Sequence, residues 1–180
     1  MKKQTLTLMI GLPRCGKTTW IKKNKGDAVV VSPDDIRAKI YGHEFHKEAE
    51  DYIWAFAKAM TRLLLDQGKS VIIDATNINN YSRDIWIRLA REYKVKIRMV
   101  WIKTPLKECI KRNKKANTKV PEDIILRFAT HFENPSYGVL DKDIEIIEIP
   151  KAKKVDSFGN YYWPEVNEIL LKKRNGNGNN

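Results

Sequence analysis

The chain has 180 residues, of which 42% are hydrophobic and 31% are charged, and its formal net charge is +12. This composition excludes a disordered chain, and the length suits one compact domain with a sizeable core. No apolar run approaches the roughly 20 residues of a membrane span, and two cysteines are too few for a disulfide scaffold. We therefore expect a cytoplasmic protein without a signal peptide.

Strand-like and helix-like segments alternate along the chain. Short apolar or β-branched runs predict strands at residues 4–10, 28–32, 70–74, 96–102 and 144–149. Helices are predicted to begin near residues 16 and 33 and to cover 44–67, 80–92, 105–114, 121–132 and 164–173. This alternation indicates an α/β three-layer sandwich, a parallel sheet of about five strands with helices on both faces. We expect one domain over 1–174 and a disordered tail over 175–180, which reads NGNGNN.

The predicted helix over 44–67 carries apolar residues at steps of three and four, which predicts a face that packs into the core. These residues are Ile53, Phe56, Ala57, Met60, Leu63 and Leu64.

The stretch GLPRCGKT, Gly11 to Thr18, matches G-x-x-x-x-G-K-[ST] and lies between a predicted strand and a predicted helix. The glycines let the backbone wrap a phosphate, and the following helix presents its N–H groups to the anion. Lys17 is expected to reach the β- and γ-phosphates of ATP, and Thr18 to offer its hydroxyl to Mg²⁺. The predicted ATP-binding residues are Gly11, Leu12, Pro13, Arg14, Cys15, Gly16, Lys17, Thr18 and Thr19. Cys15 is expected to be only a small residue that fits the loop.

Carboxylates follow two of the predicted strands, at the sheet edge where ligands of parallel α/β proteins gather. Asp34 and Arg37 share one face of a first helical turn, so one could accept a proton while the other holds an anion. The structural alternative is a simple ion pair between them. Asp74 ends an apolar strand in the manner of a Mg²⁺-binding carboxylate. Its structural alternative is a turn carboxylate.

A strongly basic stretch runs from residue 103 to 119, with seven basic residues and one acid, Glu108. We interpret residues 112–120 as a lid over the transferred phosphate, because cations there would stabilise charge that develops during transfer. Arg112 is the best lid candidate and is also predicted to bind ATP, since its planar fork can pair two oxygens. Lys103 and Lys107 are expected to be surface charges.

Three segments together resemble the 5′-polynucleotide kinase family of bacteriophage RNA and DNA repair. They read SPDDIR, DATN and KRNKKANTKVPEDIILRF, and the resemblance runs from about Lys2 to Pro135. It implies an adenylate-kinase-like fold and Mg²⁺-dependent transfer of the ATP γ-phosphate to the 5′-hydroxyl of RNA or DNA. It also implies roles for individual residues. Lys17 and Thr18 match the phosphate loop, Asp34 the general base, Arg37 the acceptor-phosphate ligand, Asp74 the essential strand-end aspartate and Arg112 a lid arginine.

The chain departs from that family in two respects. Where the family has a second lid arginine, this chain reads Lys115-Ala116, so Lys115 or Lys119 is a candidate substitute. No phosphatase motif follows the kinase-like part, and 3′-phosphatase activity is not expected from this chain.

Two other functions fit the same motifs. A small-molecule kinase would act on a sugar, antibiotic or nucleotide-sugar hydroxyl, and a nucleotide-dependent binding switch would transfer no phosphate at all. The net charge favours a nucleic-acid partner, as do aromatic residues that could stack on bases on the acceptor side. Those aromatic residues are Tyr41, Phe45, Tyr52 and Trp54.

Overall fold

A computed structural model describes residues 3–42, 46–135 and 144–149. The predicted helix over 164–173, the predicted tail over 175–180 and Phe45 lie outside the described residues. The expected domain boundary at residue 174 therefore stays a prediction.

A five-stranded parallel sheet forms the middle layer of the molecule. Its strands are β1 (Thr5–Ile10), β2 (Val29–Val31), β3 (Val71–Ile73), β4 (Lys96–Ile102) and β5 (Ile144–Ile149). They are arranged in the order β2-β3-β1-β4-β5, and every neighbouring pair is parallel. The predicted sheet is confirmed. Because all five strands run the same way, the loops that follow them meet at one edge, with β1 at the centre.

Helices cover both faces of the sheet, as predicted. They are α1 (Lys17–Asn24), α2 (Pro33–Tyr41), α3 (Glu50–Asp66), α4 (Asn80–Glu92), α5 (Leu106–Lys115) and α6 (Glu122–Thr130), with a short 3-10 helix at Lys47–Ala49. One buried apolar cluster joins α2, α3 and α4 to the sheet, and a second joins α1, α5 and α6 to its other face. None of the helices in the described ranges has the length and apolar content of a membrane span.

The buried face of α3 differs in part from the predicted one. Ile53 and Ala57 are buried, but Phe56 is 52% exposed and Leu63 is 58% exposed. The buried side follows steps of four through Thr61 and Leu65, and this turns Phe56 and Leu63 toward solvent. Including these two residues in the core was therefore wrong.

Lys103 is not a surface charge, contrary to the prediction. It follows the last residue of β4, lies outside α5 and is only 3% exposed. Its Nζ donates to Glu148 Oε2 at 2.6 Å and lies 4.0 Å from the centre of the Trp101 ring. A buried cation is tolerated where a carboxylate and a ring face compensate for its lost hydration. The basic stretch therefore contributes its surface charge through α5 and the loop that follows it.

Candidate active site

The phosphate loop joins β1 to α1 at the centre of the sheet edge. Gly11 and Gly16 have φ angles of +147° and +113°, which favour glycine. A Cβ added to Gly11 would lie 2.7 Å from Cys15 Sγ and 2.8 Å from the Ile102 carbonyl oxygen, so no side chain fits there. The loop delivers the N-terminus of α1, which begins at Lys17, to a point where an anion can meet its free N–H groups.

Side chains of the loop divide between the core and the sheet edge. Lys17 Nζ donates to the carbonyl oxygens of Gly11 at 3.1 Å and Leu12 at 2.9 Å, so the ammonium group lies across the loop. Leu12 is fully buried, its backbone included. Burial also raises the pKa of Cys15, which keeps it a thiol. This protonation state agrees with the prediction of no catalytic role for Cys15.

A cavity of about 750 Å³ opens beside the loop. Among the described residues that line it, four are cationic and none is acidic. The cations are Arg14, Lys17, Lys23 and Arg112, and the other lining residues include Gly16, Thr18, Thr19, Trp20 and Asn24. Its volume lies in the range of small-ligand pockets, and its positive lining suits a polyphosphate. The cavity therefore fits ATP with its phosphates at the loop.

Asp74 lies directly beyond β3, next to the phosphate loop. Thr18 Oγ1 donates to Asp74 Oδ2 at 3.3 Å. Burial raises the pKa of Asp74, and the negative charges of Asp34 and Asp35 raise it further, although Lys17 and Thr18 oppose them. A carboxylate and a hydroxyl are hard oxygen donors, and Mg²⁺ is usually held by one or two carboxylates together with phosphate oxygens and water. Thr18 and Asp74 therefore offer donors that fit Mg²⁺, and their role as its ligands stays a prediction.

Two buried polar side chains, Asn77 and Arg83, fix the loop after β3. Asn77 Nδ2 donates to the Met9 carbonyl oxygen at 2.8 Å, and the Gly11 N–H donates to the Thr76 carbonyl oxygen at 3.0 Å. Arg83, 1% exposed, donates from Nε to the Asn77 carbonyl oxygen at 2.8 Å. These bonds tie the loop that carries Asp74 to the start of the phosphate loop. Arg83 lies in an amphipathic helix, where an arginine is ordinarily exposed. No sequence signal therefore marks it as buried.

The predicted Asp34–Arg37 pair is present and has a third member. Arg37 NH1 donates to Asp34 Oδ1 at 2.6 Å, which is the ion pair given as the structural alternative. Arg37 also donates to both carboxylate oxygens of Glu50, from Nε at 2.7 Å and from NH2 at 2.9 Å. These hydrogen bonds, first those to Glu50, raise the pKa of Arg37. Glu50 therefore orients the guanidinium, while the Asp34 side chain is 87% exposed and open to an acceptor.

Sequence reasoning missed Glu50, because its contact depends on how the start of α3 meets α2.

Replacing Glu50 by alanine removes both bonds that orient Arg37. We expect kcat/KM for the acceptor to fall about tenfold, because hydrogen bonds between charged groups contribute about 1.5–3 kcal/mol. The KM for ATP should stay unchanged, since the donor cavity lies on the other side of β1. Initial-rate kinetics at varied acceptor and ATP measure both. Glu48→Ala, an exposed acid in the preceding 3-10 helix, is the control, and equal effects of both variants would contradict a specific role for Glu50.

The lid segment packs against the phosphate loop. Arg112 NH1 donates to the Cys15 carbonyl oxygen at 3.2 Å, and its Nε donates to Glu108 Oε1 at 2.9 Å. Ala116 lines the donor cavity. Lys115 and Lys119 are the two candidates for the second lid cation, and neither lines that cavity. Lys115 lines a separate groove. A guanidinium of the phosphate loop, that of Arg14, contacts the lid instead.

A separate basic groove runs along the outer side of α5. Its volume is about 370 Å³, and it is lined by Lys107, Ile110, Lys111, Lys114 and Lys115. We call these four lysines the lysine face. Lys114 lies 3.9 Å from Glu122, and no acidic residue is among the groove's described lining. The lysine face lies on the same helix as Arg112, which contacts the phosphate loop.

Comparison with known proteins agrees with this geometry. A family model described as an AAA domain, AAA_33, matches residues 6–135. A chain in the structure of the Pnkp1/Rnl/Hen1 RNA repair complex superposes with a TM-score of 0.65 at 26% sequence identity, covering 73% of this chain and 44% of that one.

Two curated relatives are also similar to this chain. An L-seryl-tRNA(Sec) kinase of Methanococcus maripaludis is 26% identical over 179 residues, which is 96% of this chain and 67% of that protein. A bifunctional polynucleotide phosphatase/kinase of Schizosaccharomyces pombe is 21% identical over 168 residues, and the matched part is 37% of its length. The family match spans most of the chain, and the sheet order and phosphate loop are those of P-loop kinases. The chain therefore belongs to the AAA_33 family and is a P-loop kinase.

Proposed function

We propose that this chain is an ATP-dependent polynucleotide 5′-hydroxyl kinase that acts on RNA or DNA ends in nucleic-acid repair. In the proposed reaction, the acceptor hydroxyl oxygen attacks the γ-phosphorus of ATP. A new O–P bond forms, the bond from the γ-phosphorus to the β–γ bridging oxygen breaks, and ADP leaves. The hydroxyl proton passes to the Asp34 carboxylate.

The other residues of the site support this transfer by position and charge. Lys17 and the N–H groups at the start of α1 hold the donor phosphates, and Arg37 binds an anionic group of the acceptor. Arg112 lies where it can neutralise charge that spreads over the moving phosphoryl group. Mg²⁺ held by Thr18 and Asp74 would neutralise the donor phosphates when bound.

The lysine face is the observation that carries the nucleic-acid part of the proposal. Its four lysines line one groove on α5, the helix that also carries Arg112. A short neutral acceptor such as a sugar carries no charge that could pair with these lysines, whereas a phosphodiester chain carries a negative charge at every phosphate. Exposed aromatic rings on the acceptor side, Tyr52 at 75% exposed and Tyr41 at 39%, offer faces for unpaired bases. Trp54 packs against the core, so we do not propose that its ring stacks on a base.

A second candidate acceptor is the serine hydroxyl of a seryl-tRNA. The observation that favours it is the relative from Methanococcus maripaludis, which matches 96% of this chain. In both cases the hydroxyl is attached to a nucleic acid, so the lysine face would serve either acceptor. They differ in the group beside Asp34, which is a ribose 5′-carbon in one case and a serine side chain in the other.

Label transfer from γ-labelled ATP tests the proposal. The protein is incubated with Mg²⁺ and, in parallel, with a 5′-hydroxyl RNA oligomer, a 5′-hydroxyl DNA oligomer, a seryl-tRNA and a panel of sugars and antibiotics. We expect label on the 5′-hydroxyl oligomers and a steep loss of oligomer binding as salt rises. Label only on the seryl-tRNA would establish the second candidate. Label only on a small molecule would overturn the nucleic-acid proposal, and ATP turnover without any labelled acceptor would overturn both.

A further inference from the structure

We propose that Arg14 is a positioning residue that fastens the lid to the phosphate loop and thereby sets the place of Arg112 over the donor phosphates. The inference rests on the proposed function only in taking ATP as the donor and phosphoryl transfer as the reaction. It does not depend on which hydroxyl accepts the phosphate.

The backbone of Arg14 gives the first reason. Its φ angle is +65°, in the left-handed region that residues with a Cβ seldom adopt. The two other loop residues with positive φ, Gly11 and Gly16, are glycines. A non-glycine residue is retained in such a conformation where the rest of the structure over-determines it, and such positions cluster at ligand clamps and functional sites. The side chain of Arg14 therefore has a function that a glycine could not supply.

The contacts of the Arg14 guanidinium show what that function is. Its Nε donates to Asn113 Oδ1 at 3.3 Å, and its NH2 donates to the Thr118 carbonyl oxygen. Both partners belong to the lid, about a hundred residues away in the chain. Asn113, 5% exposed, in turn closes the lid loop, because its Nδ2 donates to the Val120 carbonyl oxygen at 2.7 Å and its Oδ1 accepts from the Val120 N–H at 2.9 Å. Arg14 thus holds the lid near both of its ends, at Asn113 and at Thr118.

Arg112 is positioned through this fastening. It directly precedes Asn113 on α5, and its NH1 donates to the Cys15 carbonyl oxygen, next to Arg14 in the loop. Two guanidinium groups therefore join the lid to the phosphate loop. Arg14 reaches from the loop to the lid, and Arg112 reaches from the lid to the loop. Both line the donor cavity together with Ala116 of the lid. Without the Arg14 side chain, the described bonds from the lid to the phosphate loop are those of Arg112 NH1 to the Arg14 and Cys15 carbonyl oxygens, and incoming phosphate oxygens would compete for that donor.

Glycine at position 14 separates this role from a structural one. Arg14→Gly removes the guanidinium but suits a φ of +65°, so the unfolding midpoint should not fall. We expect kcat/KM for ATP to fall about tenfold, as for the loss of a charge-assisted hydrogen-bond pair, with KM for the acceptor unchanged. Arg14→Lys keeps one donor and should restore part of the loss. Lys94→Gly is the matched control, because Lys94 also has positive φ, at 53°, and lies between α4 and β4, far from the loop.

Limited trypsin digestion reads the position of the lid directly. The lid holds four cleavage sites, Arg112, Lys114, Lys115 and Lys119. Without nucleotide, Arg14→Gly should be cut at these sites several times faster than the unaltered protein, whereas Lys94→Gly should be cut at the unaltered rate. Unaltered cleavage together with unaltered kcat/KM for ATP in Arg14→Gly would overturn the inference, as would a general loss of stability with all kinetic constants impaired alike.

The same measurements keep this inference apart from the proposed function. If no acceptor is phosphorylated by the unaltered protein, the proposed function fails. Arg14 is then decided by trypsin cleavage and by the affinity for a fluorescent, non-hydrolysable ATP analogue. Weaker analogue binding and faster lid cleavage in Arg14→Gly would still support the fastening, and unchanged values of both would refute it.

Discussion

Replacing Asp34 by asparagine is expected to lower the rate of phosphoryl transfer about a thousandfold while ATP binding is retained. A positioned general base contributes about 10²–10⁴ to a rate, and asparagine keeps the shape of the side chain but cannot take the proton. The exposed Asp34 carboxylate lies on the acceptor side, outside the described lining of the donor cavity, so affinity for an ATP analogue should not change. Single-turnover transfer at saturating ATP measures the chemical step.

Asp35→Asn is the matched control for this prediction. It makes the same change of charge at the next residue of α2. The Asp35 side chain is exposed, and its backbone N–H donates to Oγ of Ser32, the N-cap of the helix. We expect Asp35→Asn to keep transfer close to the unaltered rate. Full transfer by Asp34→Asn would show that the Asp34–Arg37 ion pair is structural and that another group accepts the proton. Equal losses in both variants would indicate a general effect of negative charge near Asp74.

The phosphate loop and Asp74 could be predicted from the sequence because their signals are local. A glycine-flanked loop between a strand and a helix, and a carboxylate directly after an apolar strand, each occupy a few consecutive residues. Parallel strands then bring such residues to one sheet edge whatever the details of packing. The alternation of strands and helices predicts a parallel sheet but not the order of its strands. A shared sheet edge is nevertheless enough to bring Thr18 and Asp74 together.

The contacts that were not predicted join parts of the chain whose relative position depends on packing. Glu50 reaches Arg37 only because α3 begins beside α2, and Arg14 reaches Asn113 only because α5 lies over the phosphate loop. Lys103 belongs to a run of lysines by sequence, yet a strand that ends one residue earlier carries it into the interior. Period and composition describe one element at a time, and these contacts lie between elements.

Asp74→Asn is expected to make the nucleotide-free protein more stable at neutral pH and to make it a poor kinase. Burial raises the pKa of Asp74 above its ordinary value of 3.8. Between 3.8 and the raised pKa, the folded protein holds a proton that the unfolded chain has released, so the free energy of unfolding falls as pH rises through this interval. Above it, the ionised carboxylate is a standing cost to the fold. Asparagine carries no charge and removes both the cost and this part of the pH dependence.

Transfer should nevertheless fall about a hundredfold or more in Asp74→Asn, because the variant loses the anionic oxygen that fits Mg²⁺ beside the phosphate loop. Thermal unfolding without Mg²⁺ or nucleotide, at pH 5 and at pH 7.5, measures the first effect, and label transfer measures the second. Asp51→Asn, an exposed carboxylate on α3, should change neither. Adding Mg²⁺ and an ATP analogue should raise the unfolding midpoint of the unaltered protein more than that of Asp74→Asn, since ligands stabilise the state that binds them. A variant less stable than the unaltered protein at pH 7.5, with an equal response to Mg²⁺ and nucleotide, would show that Asp74 is a turn carboxylate whose charge the fold itself requires.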